Sequence, residues 1–351
     1  WRSCLPSFFL VSAGFGYLIS PRTNNSYIAL NRILKKGGQV LWAQDSFAAG
    51  GRDYPPGTAI VSTSGAPQAL VESLAKELYM DVGTTASQPS VKTYKLKQPR
   101  VALYKSYVAS MDEGWTRWLF EKYEFPFESI YDADVKAGDL HKRFDVLVIP
   151  SNSTQAIVDG QKAGTVPPQY VGGITDTGVQ NIRKFVEAGG TLVTLRDACF
   201  FPLDKLGIPV GDALKGLRPM GRGYSDETTR AQAAKFACPG SLLRMEFNAK
   251  HPVAYGMPDE GPGMHYGGTA FDILASTDKQ GPVPIVKYPA GNLLMSGFLQ
   301  GGNYLQNKAA AVAAPVGKGR VVLLGFAVQN RAQPHATFKL LFNALLYGAA
   351  Q

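Results

Sequence analysis

Two short runs constrain this chain more than any other feature: Phe144-Asp-Val-Leu-Val-Ile-Pro150 and Thr191-Leu-Val-Thr-Leu195. A strand with one face in water alternates apolar and polar residues, whereas a strand covered on both faces reads as a continuous apolar run. Runs of this kind predict a sheet sandwiched between helices. The stretch Thr175–Ala188 between them is amphipathic, and Gly189-Gly190 stop it, as expected of a crossover helix. The same alternation begins upstream, with a strand at Val101–Lys105. Ser110-Met-Asp-Glu113 then has the pattern of a capping box, Ser110 as N-cap and Glu113 three positions on, opening a helix through Tyr123. Phe125–Tyr131 reads as a further strand. Alternating strands and helices with buried strands predict an α/β fold built on a parallel, doubly wound sheet of the flavodoxin-like kind.

The C-terminal third is less regular. Ser241–Phe247, Val283–Lys287 and Asn292–Phe298 read as strands, and Thr337–Tyr347 as a closing amphipathic helix. Gly317-Lys318-Gly319 precedes the apolar run Val321–Phe326 rather than a helix, so it is a hairpin turn and not a phosphate loop.

Before residue 98 the pattern is that of a small α/β segment. Tyr27, Leu30, Ile33 and Leu34 recur at helical spacing, Gly37-Gly38 end that helix, and Gln39–Ala43 and Thr58–Ser62 read as strands. Pro67–Leu78 reads as a second helix. Gly83–Gln98 is rich in Thr, Ser and Lys and reads as a linker. With 351 residues and about 100–200 per domain, the expected organisation is a segment at 1–97, its linker at 83–98, and a large domain at 98–351. Leu5–Ile19 is apolar behind Arg2, which is faintly like a signal-peptide core, and a buried strand is the preferred reading.

Lys and Arg number 36 against 27 Asp and Glu, a net charge of +9. The basic residues are scattered, and their densest stretch, Lys92, Lys95, Lys97 and Arg100, reads as a solvated linker. No nucleic-acid motif accompanies it, so no nucleic-acid partner is expected. No apolar run reaches the about 18 residues that a membrane-spanning helix needs. The three cysteines, Cys4, Cys199 and Cys238, have no CxxC spacing. None of the four histidines, His141, His251, His265 and His335, begins an HxxE or HExxH pattern, so neither a zinc site nor any other cofactor is expected.

The chemistry-bearing residues collect at the predicted strand ends: Ser106 and Tyr107; Ser110, Asp112 and Glu113; Ser151; Arg196 and Asp197; Arg331 and His335. In a doubly wound sheet the carboxyl ends of the strands form the ligand crevice. Ser106, Asp112, Glu113, Arg196, Asp197 and Arg331 are therefore the candidate ligand-binding residues, the alternative being helix capping and ion pairing. Cys199 follows a predicted strand and could be a nucleophile with His335 as its base. A nucleophile elbow needs small residues two positions to either side, and Cys199 has Asp197 and Phe201. Thr337 stands where a His-x-Glu pair would need its carboxylate. A buried structural cysteine is the preferred reading.

Several longer segments carry a family resemblance: Ser110-Met-Asp-Glu-Gly-Trp-Thr-Arg-Trp118, Glu187-Ala-Gly-Gly-Thr-Leu-Val193, Pro239-Gly-Ser-Leu-Leu-Arg244, His251-Pro-Val-Ala-Tyr-Gly256 and Arg331-Ala-Gln-Pro-His-Ala-Thr-Phe-Lys-Leu-Leu-Phe-Asn343. Together with Gly16–Tyr27 they resemble the C-terminal region of secreted bacterial zinc carboxypeptidase-like proteins. There a class I glutamine-amidotransferase-like domain follows a metallocarboxypeptidase domain. The resemblance implies an amidotransferase-like fold and a secreted, periplasmic or cell-surface location. It also implies a non-catalytic accessory role, with a peptide, a protein partner or the protein's own peptidase domain as the bound species. The sequence departs from glutaminases in lacking the Gly-x-Cys-x-Gly elbow and the His-x-Glu pair, and it contains none of the peptidase half. Two alternatives stay open: a structural, oligomer-forming subunit of a larger extracellular assembly, and a hydrolase or amidotransferase using Cys199 and His335.

Overall fold

The computed structural model describes residues 14–217, 231, 235–276 and 280–351. Cys4 and the first part of the Leu5–Ile19 run lie outside the described residues; its end forms strand β1 (Gly16–Ile19). The chain continues through α1 (Asn25–Lys35), β2 (Val40–Ala43), the hairpin of β3 (Phe47–Ala49) and β4 (Arg52–Tyr54), β5 (Ala59–Ser62) and α2 (Gln68–Glu77) to β6 (Val82–Thr85) and β7 (Thr93–Leu96). Five of these strands form an antiparallel sheet in the order β6-β1-β5-β2-β7. The stretch 83–98 is therefore not a linker: it holds both edge strands of this sheet. Edge strands with an open face tolerate Thr and Lys, which gives them a linker's composition. β7 is also tied to the end of the chain, because Lys95 and Gln351 exchange backbone hydrogen bonds of 2.9 and 3.1 Å.

The larger sheet begins with β8 (Val101–Tyr104), α3 (Met111–Lys122), β9 (Phe127–Ile130), α4 (Asp132–Ala137), α5 (Leu140–Arg143) and β10 (Val146–Ile149). Next come α6 (Thr154–Val158), α7 (Thr175–Glu187), β11 (Thr191–Leu195) and α8 (Phe200–Lys205). The chain then runs through β12 (Val210–Asp212), β13 (Ser241–Phe247), β14 (Glu260–His265), β15 (Phe271–Ile273), β16 (Val283–Lys287) and β17 (Leu294–Ser296). It ends with β18 (Ala309–Val316), β19 (Gly319–Leu324) and α9 (Phe338–Ala349).

Strands β9-β8-β10-β11-β19 are mutually parallel neighbours. Counted along the chain their order is 2-1-3-4-5, the flavodoxin-like arrangement. Beyond β19 the sheet continues antiparallel through β18, β16, β13 and β14. The β18–β19 hairpin turns at Gly317, whose φ of +58° suits glycine.

The apolar runs do what two-faced burial requires. Val146, Val148, Val193 and Leu195 point into one apolar layer with Leu119 and Phe120 of α3 and Phe338 and Phe342 of α9. Their neighbours Leu147, Ile149 and Leu192 point into the other, with residues of α4 through α8. The first layer extends into the small sheet: Tyr27 packs on Phe342 at 5.1 Å, and Trp42 meets Tyr255 edge-on at 4.8 Å. The Tyr27 hydroxyl donates to Asn343 Oδ1 at 2.7 Å, and Asn343 Nδ2 donates to the carbonyls of Val253 and Tyr255. One buried polar knot thus joins α1, α9 and the turn after β13.

Candidate functional site

In this strand order the chain leaves β8 towards β9 on one side and returns to β10 on the other. The carboxyl ends of β8 and β10 therefore flank the switch point, where open α/β sheets place their ligands. A cavity of about 130 Å³ lies there, walled by Lys105 and Ser106 after β8, Ser110 and Glu113 at the start of α3, and Pro150 and Asn152 after β10.

The expected capping box does not form. Ser110 makes no side-chain cap to α3; its hydroxyl donates across the crevice to the Ser151 carbonyl at 2.8 Å. Glu113 turns to the cavity instead of back to the Ser110 backbone. It is 6% exposed, and its Oε1 has no hydrogen-bond partner. Arg117 Nε approaches Oε1 only to 3.8 Å. The pattern Ser-x-x-Glu is satisfied in sequence, but Ser151 across the crevice takes the Ser110 hydroxyl, and Glu113 lines the cavity without closing the box. On the opposite wall, Ser106 donates to the Val108 carbonyl at 2.7 Å and accepts from Asn152 Nδ2 at 3.0 Å.

The second half of the crevice lies at the end of β11. Arg196, the first residue after the strand, has a left-handed φ of +49°, a sparsely populated conformation for a residue with a side chain. Its Nη1 reaches both carboxylate oxygens of Asp112, at 3.0 and 3.2 Å, and both side chains are close to nine-tenths buried. Gln329, after β19, donates to Thr116 Oγ1 at 3.2 Å and approaches Asp112 Oδ1 at 3.5 Å. Burial raises the Asp112 pKa, and the Arg196 guanidinium opposes that rise. The Arg196 guanidinium also lies over the Tyr266 ring at 5.4 Å. Asp197 and Ser151 meet more loosely, at 3.4 Å.

This geometry moves the elbow. The strained strand-to-helix turn of an elbow is at Arg196, not at Cys199. Thr194 and Ala198, the small residues expected two positions to either side, flank Arg196 in the sequence Thr194-Leu-Arg-Asp-Ala198. That signal was present in the sequence and pointed to an arginine. Cys199 is fully buried, its Sγ shares hydrogen bonds with the hydroxyl and carbonyl of Thr194, and burial pushes its thiol up to about 12. It packs in the layer of α4 through α8. His335 is exposed and its ring lies tilted against Phe338 at 4.9 Å, a residue of the other layer. The nucleophile–base pair of Cys199 and His335 is therefore not assembled: the sheet lies between the two layers. Arg331 is likewise exposed, in a left-handed turn after β19.

The structure thus gathers Ser106, Ser110, Glu113 and Asn152 around the cavity, and Asp112, Arg196 and Gln329 into an adjoining ion-pair cluster. Asn152, Gln329 and Lys105 were absent from the candidate ligand-binding set, since nothing local marks a polar residue after a strand as crevice-lining. Among the described residues no group of three His, Cys, Asp or Glu side chains is placed to hold a metal ion, and no helix is long and apolar enough to cross a membrane.

No family model and no curated sequence matches the chain. Among solved structures, a ThuA-like protein from Bacteroides uniformis is 12% identical, with a TM-score of 0.39 over 72% of this chain and 91% of that one. A glutamine amidotransferase from Thermotoga maritima is 11% identical, with a TM-score of 0.39 over 72% of this chain and 96% of that one. A β-galactosidase from Bacillus circulans is 11% identical, with a TM-score of 0.38 over 80% of this chain and 35% of its own length.

Proposed function

We propose that this chain is a non-catalytic binding module that takes a small ligand, a peptide or a partner subunit in the crevice between the ends of β8 and β10. In this reading it is the accessory part of a secreted zinc-carboxypeptidase-like protein and works in the periplasm, at the cell surface or outside the cell. The observation that carries the binding role is the elbow. Where a nucleophile would stand, Arg196 is committed to a buried ion pair with Asp112, and Cys199 is sealed in the core. A walled cavity with a buried carboxylate adjoins them. The carboxypeptidase association draws on the segment resemblance alone.

The test is a thermal-shift screen of small polar molecules and short peptides on the intact chain. Binders are then re-measured on Glu113→Gln and Asn152→Ala. Binders whose effect disappears in these variants support the reading. Amide or ester turnover that vanishes in Cys199→Ala would replace it with an enzyme.

A second reading, a structural subunit of a larger assembly, draws on Leu242 of β13, Leu294 and Met295 of the neighbouring β17, and Phe298. All four are exposed, Phe298 to 53%. Sedimentation equilibrium tests it: self-association abolished by Phe298→Asp supports assembly, and a monomer at micromolar concentration ends it.

A further inference from the structure

We propose that the chain carries a second binding surface: a basic face at the amino ends of the parallel strands, which takes a linear polyanionic polysaccharide. This face lies at the opposite end of the sheet from the crevice. Val101, Val146, Thr191 and Arg320 stand side by side at the starts of β8, β10, β11 and β19, so the residues around them share one edge. Lys97 Nζ and Arg100 Nη2 both reach Asp145 Oδ1, at 3.1 and 2.8 Å, and Arg100 Nη1 donates to the Lys142 carbonyl at 2.7 Å. Lys318, in the β18–β19 turn, donates its backbone N–H to the Glu187 carbonyl. Its Cβ and the ring of His141 both border Gly189. Arg320 Nη1 donates to the Tyr347 carbonyl, and the guanidinium lies 3.9 Å over the Tyr347 ring. Tyr347 meets Tyr94 at 5.6 Å, next to Lys95 on β7, and the circuit closes there.

Tertiary structure thus adds Lys142, Lys318 and Arg320 to the densest basic stretch of the sequence. The side-chain carboxylates on this face are already engaged. Asp145, only 9% exposed, sits between Lys97 and Arg100; Asp139 holds Lys142 at 2.9 Å; and Glu187 is 4.0 Å from Arg183. Among the described residues no ion pair reaches Lys95 or Lys318, and both are exposed. The Lys97, Arg100 and Lys142 side chains keep 43%, 48% and 76% of their surface in solvent. Cations gathered on one surface repel one another, and a linear polyanion relieves that repulsion while releasing its own condensed counterions. The chemistry of the face narrows the class of polymer. Four of its six cations are lysines, point charges without the guanidinium fork that reads planar acceptors in pairs. Tyr347 has Arg320 over its ring and Tyr94 against it, and Tyr94 also packs on Trp42. These two rings are taken, so they offer no platform on which single-stranded nucleic acid would stack its bases. A polysaccharide bearing sulfate, phosphate or carboxylate groups presents the charge without needing that platform.

The experiment titrates the intact chain at pH 7 into a fluorescein-labelled heparin oligosaccharide and reads the anisotropy. The expected result is saturable binding whose affinity falls about tenfold or more between about 50 and 200 mM sodium chloride. At the lower salt, Lys142→Glu/Lys318→Glu should weaken binding by about tenfold or more. Lys142→Gln/Lys318→Gln removes the two charges without reversing them and should weaken it by a smaller factor, which keeps the test usable if charge reversal disturbs the fold. The control is Lys215→Glu/Lys287→Glu, the same change in net charge on exposed lysines near the Ala309 end of β18, at the far end of the sheet. It should weaken binding by less than about twofold, because charges beyond a Debye length are screened. Absence of saturable binding at the lower salt, or equal losses in the two charge-reversed variants, overturns the proposal. A single-stranded oligodeoxynucleotide that binds more tightly than heparin, and is lost in Lys142→Glu/Lys318→Glu, overturns the polysaccharide assignment.

Discussion

Arg196 Nη1 sits 3.0 Å from Asp112 Oδ2, across a gap of 84 residues, and it does so from the one strained position at the end of β11. A left-handed non-glycine residue costs about 1–2 kcal/mol. The ion pair and the Tyr266 ring hold it there, and Gln329 stands beside the Asp112 partner. The guanidinium and the strain belong together: the left-handed turn swings the side chain off the strand and over the crevice, where the first turn of α3 presents the carboxylate.

Removing one member of this pair strands the other in the interior. Arg196→Met is expected to destabilise the fold by about 3–5 kcal/mol, because Asp112 is left as an uncompensated buried charge. The double variant Arg196→Met/Asp112→Leu should regain most of that loss, since replacing a whole buried pair with apolar groups is often neutral. Urea denaturation of the wild type, both single variants and the double variant measures the coupling. A single-variant loss below about 1 kcal/mol would show the pair to be solvated in solution.

Cys199 should be chemically silent in the folded protein. Its thiol is buried and raised to about 12, so almost no thiolate exists near neutrality. Native treatment with iodoacetamide at pH 8 followed by peptide mapping should leave Cys199 unmodified, and the same treatment in denaturant should label it. Labelling of Cys199 in the native state would reopen the nucleophile reading.

His251 should make the fold acid-sensitive. Its Nδ1 accepts a hydrogen bond from the Val253 backbone at 3.2 Å, and its ring meets Tyr347 edge-on. Burial, with the Arg320 charge nearby, lowers its pKa from 6.5 to about 4. The unfolded chain therefore binds a proton below pH 6.5 that the folded chain refuses until about pH 4. Stability contributed by neutral His251 is full above pH 6.5 and is lost progressively as pH falls from there to about 4. Denaturation midpoints between pH 7 and pH 4 should fall more steeply for wild type than for His251→Gln. Parallel pH profiles would show that the ring is solvated.

Tyr27→Phe probes the joint between the small sheet and α9. The substitution keeps the ring packing on Phe342 and removes the donor to Asn343 Oδ1, leaving a buried carbonyl oxygen without it. A loss of about 1–3 kcal/mol is expected for an unsatisfied buried acceptor, read from chemical denaturation. A neutral outcome would mean that Asn343 finds another donor.

The candidate site was only half legible in the sequence. Ser106, Asp112, Glu113 and Arg196 could be assigned to strand ends because a doubly wound sheet puts its ligand groups there. Their partners could not. Whether Ser110 caps its own helix or reaches to Ser151 depends on a carbonyl 41 residues away, and no spacing rule contains that information. Small residues two positions either side of Arg196 mark the elbow, but an arginine there carries no nucleophile signal, whereas the nearby Cys199 carries that signal without the elbow's small neighbours.

The sequence by itself determined the central sheet. Runs such as Val146–Ile149 and Thr191–Leu195 must bury both faces, and only strands covered by helices on each side allow that. It also determined the hairpin at Gly317 and the helices that glycine pairs end, since these follow from local backbone freedom. Tertiary structure alone decided that 83–98 pairs as edge strands, that Cys199 and His335 fall in different layers, and that Asp112 meets Arg196 while Glu113 faces a cavity. Those outcomes depend on which surfaces meet when distant segments pack, and the energy of a buried charge or hydrogen bond is set by partners that the local chain does not encode.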